Sequence, residues 1–335
     1  MTEEKANLTV DRVLEPPATS CPLCGVPVEG GRVSYEPFQW SACSQCHTLV
    51  LDGGVEDPAS AYSEDYYGRN DAKFSGMAGW IRNHFHRTRS RLVAGMLPAR
   101  GSVYDIGCGD GLFLWHAQQR GLAIFGSEPE TKPRNQSCLR LGVEVDRATF
   151  ANEQLDQFDG ITCWQVIEHV RNPAELVRRV RAHLKPNGIF AVSTVNVDSW
   201  QSKLFRACWL HLDPPRHPWC GSMRRLEKLL ENEGFVVERR RSNWTEFGPV
   251  GWVCSFMNSL GLPRDVLVHK LKCGFRRPLD PVFLLAAALT PAGVVLAALE
   301  ALAGRPGTFE LYCRRGGARL VARKVSRRLP QNSGP

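Results

Sequence analysis

The sequence predicts an α/β fold, and three observations lead to this prediction. An apolar run over residues 103–106 contains an acid and leads into a glycine-rich turn, after which an apolar helix begins. A second apolar run, over 122–128, also ends in an acid. Two further strand-like runs follow in order, within 158–170 and 184–193. Strands that end in turns with acids and glycines are typical of α/β sheets, which bind ligands at that edge.

Length, charge and cysteine usage narrow the class of protein. A chain of 335 residues holds one full α/β domain and a smaller module. Its net charge is +8, but much of the excess lies between Arg314 and Arg328, and a basic tail of this kind favours a solvated or surface-associating end. The first twenty residues do not resemble a signal peptide. Four of twelve cysteines form a pattern, which favours a reducing cytosol and one metal site.

The glycine turn spans Asp105 to Gly111. Its glycines allow positive φ angles and a close approach of the backbone to a ligand. The helix that follows offers unpaired N–H groups to a carboxylate or phosphate. The spacing G-x-G-x-G, with an acid two residues upstream, differs from the dinucleotide pattern G-x-G-x-x-G. It resembles motif I of the class I S-adenosylmethionine (SAM)-dependent methyltransferases.

Three later segments extend this resemblance. Glu128 ends the second strand 23 residues after Asp105, close to the offset at which a strand-end carboxylate meets ribose hydroxyls. Residues 158–170 are similar to the fourth strand and following turn of the superfamily, and 184–193 to its turn into strand five. The chain is therefore identified as a class I methyltransferase, which implies a Rossmann-like, seven-stranded core.

The resemblance also implies a set of cofactor-binding residues. The amino-acid end of SAM would lie against the glycine loop, Glu128 would accept both ribose hydroxyls, and Gln165 would lie near the methionine moiety. The full predicted set is Asp105, Gly107, Cys108, Gly109, Gly111, Glu128 and Gln165.

Histidines after strands four and five are the candidate general bases. Methyl transfer to a hydroxyl benefits from proton removal, and His169 next to Glu168 is one candidate. The other is His217, at the end of a D-P-P-R-H segment that resembles the loop after strand five of ubiquinone-type methyltransferases. Quinone-biosynthesis O-methyltransferases can hold a divalent cation near the Glu-His pair. Here Gln165 stands where a further carboxylate would, which predicts a poor site for magnesium.

Two cysteine pairs predict a structural zinc site. Cys21 and Cys24 form one C-x2-C knuckle, and Cys43 and Cys46 form another after eighteen intervening residues. Four thiolates at this spacing complete a tetrahedral shell for zinc. The second pair also reads as C-x-x-C-H, a haem attachment motif. That interpretation requires export and leaves the first pair unexplained.

The chain divides into seven predicted segments. They are a disordered N-terminus (1–18), a zinc ribbon (19–52), a connector with an N-terminal helix (53–97), the methyltransferase core (98–245), an apolar and basic helical insertion (246–306), the last core strand (307–316) and a basic tail (317–335).

The insertion is the least usual of these segments. Basic residues precede an apolar run over 282–299 that is long enough to be scored as a transmembrane helix. Pro291 and Gly293 interrupt that run, and the chain must return to supply the last strand. Two short helices at the membrane interface, on the inner face of the membrane, are one expectation. A buried hairpin that forms a substrate lid or a dimer contact is the other.

Three functions remain in view, and the first is favoured. An N-terminal ribbon on this core resembles bacterial methyltransferases of sugar, polysaccharide or natural-product pathways, which favours O-methylation of a small-molecule, sugar or lipid-linked acceptor in the cytoplasm. A zinc-finger rRNA methyltransferase is the second. Residues 164–167 lack the Asn/Asp-Pro-Pro-aromatic motif of nucleic-acid amino methyltransferases, so nucleic acid is not the expected partner. An inactive SAM-binding scaffold is the third. The oligomeric state stays open.

Overall fold

The computed structural model describes residues 20–35, 37–52, 76–149, 157–273 and 280–316. The predicted disordered N-terminus, most of the connector (53–75) and the basic tail lie outside the described residues. The predicted segment boundaries therefore stay predictions.

The strands and helices follow one another along the whole described chain. The strands are β1 (Arg32–Tyr35), β2 (Phe38–Ala42), β3 (Leu49–Leu51), β4 (Ser102–Ile106), β5 (Ala123–Ser127), β6 (Phe158–Trp164), β7 (Leu184–Val195), β8 (Trp219–Cys220), β9 (Phe235–Arg241) and β10 (Thr308–Arg315). The helices are α1 (Gly76–Ala94), α2 (Leu112–Gln118), α3 (Thr131–Leu141), α4 (Pro173–His183), α5 (Trp200–Phe205), α6 (Met223–Asn232), α7 (Trp244–Ser259), α8 (Val266–Cys273) and α9 (Pro281–Leu302).

A six-stranded sheet organises the core in the order β5-β4-β6-β7-β10-β9. The pairs β5-β4, β4-β6 and β6-β7 are parallel, whereas β10 runs antiparallel to both β7 and β9. Beyond β5, a single parallel bridge between Ser127 and Asp146 takes the place of a seventh strand. The predicted α/β, Rossmann-like core is confirmed, with six strands and one bridge in the described residues.

Apolar side chains cover both faces of this sheet. On one face, Val93 of α1, Phe113 of α2 and Leu141 of α3 belong to one buried cluster with the sheet. On the other face, Leu176 of α4 and Leu229 of α6 belong to a second cluster. Burial of this apolar area from both sides is the main stabilising contribution.

The N-terminal ribbon forms a separate antiparallel sheet in the order β1-β2-β3-β8. Its last strand, β8, comes from the loop that follows β7, about 170 residues further along the chain than β3. The sequence did not indicate this pairing. Because β8 begins two residues after His217, the ribbon lies beside a predicted catalytic loop.

The insertion differs from the expected pair of short helices. Its apolar run forms one continuous helix, α9, with Pro291 inside it. A stripe of Ala286, Gly293, Ala297 and Glu300 is buried, and the small residues allow close contact: a Cβ added at Gly248 of α7 would lie 2.8 Å from the Ala297 Cβ. Tight packing on α7 keeps the helix continuous through the proline, which removes one hydrogen bond at a solvent-facing position.

Glu300 is the one carboxylate of α9, and it is buried against α5 and α7. It accepts hydrogen bonds from the backbone N–H of Gln201 at 3.0 Å and from its side-chain amide at 2.8 Å. The Trp252 indole N–H donates to the same carboxylate at 3.3 Å. The remaining circumference of α9 is mostly exposed and apolar.

Candidate functional site

The glycine turn between β4 and α2 leaves one side of its backbone open. Gly107, Gly109 and Gly111 have φ angles of 66°, 59° and 75°. A Cβ at Gly107 would lie 2.6 Å from Val166 Cγ2, and one at Gly111 would lie 2.5 Å from Ser137 Oγ. A Cβ at Gly109 would meet nothing within 4 Å. Two glycines are therefore required by packing within the protein, whereas Gly109 faces open space.

Glu128 directly follows β5 and is buried beside this turn. One of its carboxylate oxygens accepts a hydrogen bond from the Gly109 N–H at 2.9 Å, and the other accepts from the Glu130 N–H at 3.0 Å. Of the two strand-end acids that the sequence singled out, Glu128 contacts the glycine turn directly. Asp105 itself lies within β4, where the Thr162 hydroxyl donates to its carboxyl group at 2.6 Å. Burial raises the pKa of this carboxyl to about 8.

Two arginines fix the same turn, and the sequence did not single them out. Arg82 of α1 forms an ion pair with Asp110, which is nine-tenths buried. Arg140 of α3 donates to the carboxylate of Asp110 at 3.1 Å and to its carbonyl at 2.8 Å. Although burial opposes ionisation, these two arginines lower the pKa of Asp110. The acid inside the motif was a visible signal, but its partners lie about 30 residues away and no local pattern marks them.

Gln165 connects the cofactor side with the loop that carries Glu168. It has a φ of 54° at the end of β6, and its N–H donates to the Ser193 carbonyl at 3.1 Å. With the amide oriented to satisfy both of its ends, its nitrogen donates to Glu168 Oε1 at 3.3 Å and its oxygen accepts from Ser193 Oγ at 3.1 Å and from the Thr194 N–H at 3.2 Å. Gln165 is thus an orienting group for Glu168.

Glu168, His169 and His217, which the sequence offered as separate candidates, lie together in the structure. One potential ligand or acid-base atom from each lies within 4.8 Å of those of the other two. The two imidazole rings are 4.6 Å apart, centroid to centroid, in an edge-on contact. The cluster therefore joins the loop after β6 to the loop before β8.

Backbone carbonyls orient both imidazoles. His169 Nδ1 lies 2.9 Å from the Arg216 carbonyl, and His217 Nδ1 lies 2.8 Å from the His211 carbonyl. Because a carbonyl only accepts, each Nδ1 is assigned the proton, and each Nε2 then carries the lone pair of a neutral ring. Burial, and next to it the neighbouring His169, lowers the pKa of His217 to about 3, so this ring is neutral at physiological pH.

Glu168 is held differently from the histidines. It is 1% exposed, and among the described residues its Oε2 has no hydrogen-bond partner. Burial raises the pKa of its carboxyl to about 8. The cluster at neutral pH is therefore a carboxylic acid beside an uncharged imidazole, an arrangement that can accept one proton and donate another.

The donor set of this cluster fits magnesium poorly. It consists of two ring nitrogens and one carboxyl group, and Gln165 adds only an amide that already has partners. Magnesium prefers an octahedron of oxygens. The donor set thus agrees with the sequence argument against a catalytic magnesium.

The four predicted zinc ligands lie together in the ribbon. The Sγ atoms of Cys21 and Cys46 are 3.4 Å apart, those of Cys24 and Cys43 are 3.5 Å apart, and those of Cys24 and Cys46 are 3.6 Å apart. A tetrahedral shell with Zn–S bonds of about 2.3 Å separates its sulfurs by about 3.8 Å. The four thiols therefore fit a zinc ion closely.

The two knuckles repeat one backbone turn. The Gly25 N–H donates to the Cys21 carbonyl at 2.8 Å, and the His47 N–H donates to the Cys43 carbonyl at 2.9 Å. Both residues have positive φ angles, of 74° and 58°. His47 therefore occupies the turn position that Gly25 occupies in the first knuckle, which accounts for the C-x-x-C-H pattern without haem.

Comparisons with known proteins agree with this geometry. A family described as a methyltransferase domain matches residues 77–239. A ubiquinone biosynthesis O-methyltransferase of Stutzerimonas stutzeri is 35% identical over 102 residues, which cover 28% of this chain and 44% of that protein. A protein of the same name from Bordetella bronchiseptica is 35% identical over 126 residues, which cover 35% of this chain and 48% of that protein. This chain thus spans less than half the length of the relatives it matches.

Solved structures are similar at a lower level. A cyclopropane synthase from Mycobacterium tuberculosis has a TM-score of 0.47 at 16% identity, covering 77% of this chain and 91% of that chain. An S-adenosylmethionine-dependent methyltransferase from Mesorhizobium loti has a TM-score of 0.41 at 18% identity, covering 67% and 96%. These likenesses carry no argument about substrate. Together with the strand order and the glycine turn, the family match over residues 77–239 supports a class I S-adenosylmethionine-dependent methyltransferase domain in this chain.

Proposed function

We propose that the protein is a SAM-dependent O-methyltransferase that acts on a small-molecule acceptor. The observation that supports this most directly is the Glu128 carboxylate at the end of β5, hydrogen-bonded to Gly109 on the open side of the glycine turn. SAM supplies an activated methyl group on a sulfonium sulfur. The open backbone at Gly109 would receive its amino-acid end, and Glu128 would accept its ribose hydroxyls, as a carboxylate accepts two donors at once.

His217 is proposed as the general base, with His169 as the alternative. A neutral imidazole with a lone pair on Nε2 can accept the proton that an acceptor hydroxyl loses as its oxygen takes the methyl group. Such proton transfer contributes about 10²–10⁴-fold to the rate, and alignment of the two reacting atoms contributes the rest. Glu168, un-ionised at neutral pH, would donate a hydrogen bond that orients the acceptor.

The proposed acceptor is a small molecule, a sugar or a lipid-linked molecule. The curated relatives are named for ubiquinone biosynthesis, which favours a hydroxyl on a small organic molecule. The rival rRNA methyltransferase and the inactive scaffold predict different results: methylation of RNA in the first case, and SAM binding without any methyl transfer in the second.

Calorimetric titration with SAM and with S-adenosylhomocysteine tests the cofactor first. We expect saturable one-site binding, and at least a hundredfold weaker binding for Glu128→Ala. Glu144→Ala removes an exposed carboxylate nearby and is the matched control, with unchanged affinity. If well-folded protein does not bind either compound, the proposed function is wrong. Binding then justifies a screen of phenol, sugar and lipid-linked acceptors.

Zinc is proposed as a structural component of the ribbon, held by Cys21, Cys24, Cys43 and Cys46. All four cysteines serve as ligands, which leaves no open position of the kind that a catalytic zinc uses. Metal analysis should give one zinc per chain. Cys24→Ser should lose it, and Cys138→Ser, which replaces a thiol outside the cluster, should keep it.

We also propose peripheral attachment to the inner face of the membrane through α9, in a protein that is otherwise cytoplasmic. By length and composition α9 is the one helix in the described residues that could cross a membrane. Only 17% of its most apolar 18-residue stretch is buried. Phe283, Leu284, Val295 and Leu299 are among its exposed side chains. Basic residues precede the helix in the sequence at 270–277, and Arg305 follows it, which favours anionic lipid.

Vesicle sedimentation tests the attachment. We expect the protein to sediment with vesicles that contain anionic lipid, and Val295→Glu to reduce the bound fraction severalfold. Leu139→Glu is the matched control, since Leu139 is also exposed but lies on α3. Equal sedimentation of the two variants would rule out this surface.

A further inference from the structure

The ribbon and the predicted catalytic loop share one sheet. In the pairing of β3 with β8, Leu49 faces Cys220 and Val50 faces Trp219. The Leu51 N–H donates to the Pro218 carbonyl at 2.9 Å. The hydrogen-bonded ladder therefore begins at the residue that follows His217, and it extends no further than two pairs.

The cysteine knuckles themselves contact the chain just beyond β8. A Cβ added at Gly221 would lie 2.4 Å from a methyl carbon of Leu23, between the two ligands of the first knuckle. Arg225 of α6 donates to the Gln45 carbonyl, inside the second knuckle, at 3.0 Å. Both knuckles thus contact the chain that directly follows β8, four and eight residues beyond His217.

Trp219 connects this contact to the other histidine. Its ring is buried, with 1% exposed, and its indole N–H donates at 2.8 Å to the carbonyl of Val170, which follows His169. His169 in turn holds the Arg216 carbonyl at 2.9 Å. These two hydrogen bonds therefore join residues 216–219, on either side of His217, to the loop that carries His169, while the His211 carbonyl orients the His217 ring itself.

We propose that the four-cysteine ribbon is a positioning element for His217: zinc-dependent pairing of β3 with β8 holds the His217 ring against Glu168 and His169. This inference rests on the role proposed above for His217. Trp40 and Leu51 of the ribbon pack with Trp209 and Cys220 in one buried cluster, but the two knuckles are too small to form a core of their own, so metal binding supplies the free energy that folds the knuckles. Without zinc, β8 loses its partner strand, and the loop before β8 loses its contacts with the ribbon.

The test measures the exposure of His217 and needs no acceptor. Zinc-loaded full-length protein is treated with diethyl pyrocarbonate, and each histidine is followed by mass spectrometry, with exposed His84 as the internal reference. His217 is 6% exposed, and we expect slow modification. In Cys24→Ser, shown by metal analysis to lack zinc, we expect at least tenfold faster modification of His217, and no change in Cys138→Ser. Equal protection of His217 with and without zinc would overturn the proposal.

A second pair of variants separates positioning from loss of the ribbon. Leu51→Pro removes the N–H that bonds Pro218 while all four cysteines remain, and Leu51→Val keeps that N–H. We expect one bound zinc in both, and faster modification of His217 in Leu51→Pro only. S-adenosylhomocysteine affinity should stay within about twofold in every variant, because Glu128 lies elsewhere; a general loss of affinity would indicate unfolding and contradict a local role.

Failure of the proposed function gives a different pattern. If His217 becomes reactive on zinc loss but His217→Ala does not slow methyl transfer, the ribbon does position His217, and the assignment of His217 as the general base is wrong. With an acceptor in hand, Leu51→Pro should lower kcat and leave the KM for SAM unchanged. A lower affinity for SAM with kcat unchanged would contradict positioning.

Discussion

The two halves of the candidate site are built from different numbers of chain segments. The cofactor half lies on the turn after β4 and the end of β5, within residues 105–128, and its acid and glycine contact each other directly. The proposed acceptor half combines the loop after β6 and the loop before β8 with the adjoining ribbon strand β3, which span residues 49–220. A local site tolerates changes elsewhere in the chain, whereas a composite site depends on every contact that joins its parts. Substitutions at the glycine turn should therefore act on that turn alone, whereas substitutions in any of the three joined segments should act on the composite half.

Replacement of His217 should separate the halves most strongly. We expect His217→Ala to lower kcat by about 10²–10⁴-fold, the contribution of a general base, and to leave S-adenosylhomocysteine affinity unchanged. Steady-state kinetics and calorimetry on the same preparation check both. Should affinity and kcat fall together, the two halves are not independent.

Two glycines of the same turn should respond differently. Gly107→Ala brings a Cβ to 2.6 Å from Val166 in a left-handed backbone, and we expect a loss of stability of roughly 2–4 kcal/mol. Gly109→Ala faces open space, so it should cost only about 1 kcal/mol yet weaken SAM binding. Denaturant unfolding and calorimetry distinguish the two, and an unchanged affinity for SAM in Gly109→Ala would mean that Gly109 does not face the cofactor.

Glu168 should contribute a measurable pH dependence to stability. The pKa of Glu168 is about 8 in the folded protein against an ordinary 4.5, so the unfolded chain loses its proton first as the pH rises. The Glu168 contribution to the unfolding free energy should therefore fall between about pH 4.5 and 8, by up to about 1.4 kcal/mol per pH unit, whereas the lowered pKa of His217 gives a contribution of opposite sign below about pH 6.5. Glu168→Gln should remove this part of the slope, while buried Asp105, whose pKa is also about 8, maintains the rest. Thermal unfolding at pH 5 and 8 measures the difference, and an unchanged slope in the variant would contradict it.

The sequence predicted the features that short spacings encode. Glycine spacing and a strand-end acid located the turn and Glu128, and C-x2-C spacing located the four thiols, because each depends on backbone geometry over a few residues. The partners of Asp110 and the pairing of β3 with β8 were not predicted, since they arise only when distant segments pack. The prediction that Pro291 divides the apolar run into two helices was wrong for a related reason. Local propensity favours a break at a proline, but packing of Gly293 and Ala297 on α7 maintains the helix.

Glu300 has a consequence for the outer surface of the insertion. A helix with apolar residues on every side can pack several of its faces inward with a similar gain, so other contacts must fix its rotation. The single carboxylate, with hydrogen bonds from Gln201 and Trp252, must face the protein, because turning it outward would leave these buried donors without an acceptor. Together with the small residues that pack on α7, Glu300 therefore determines which side chains of α9 are displayed to the surroundings.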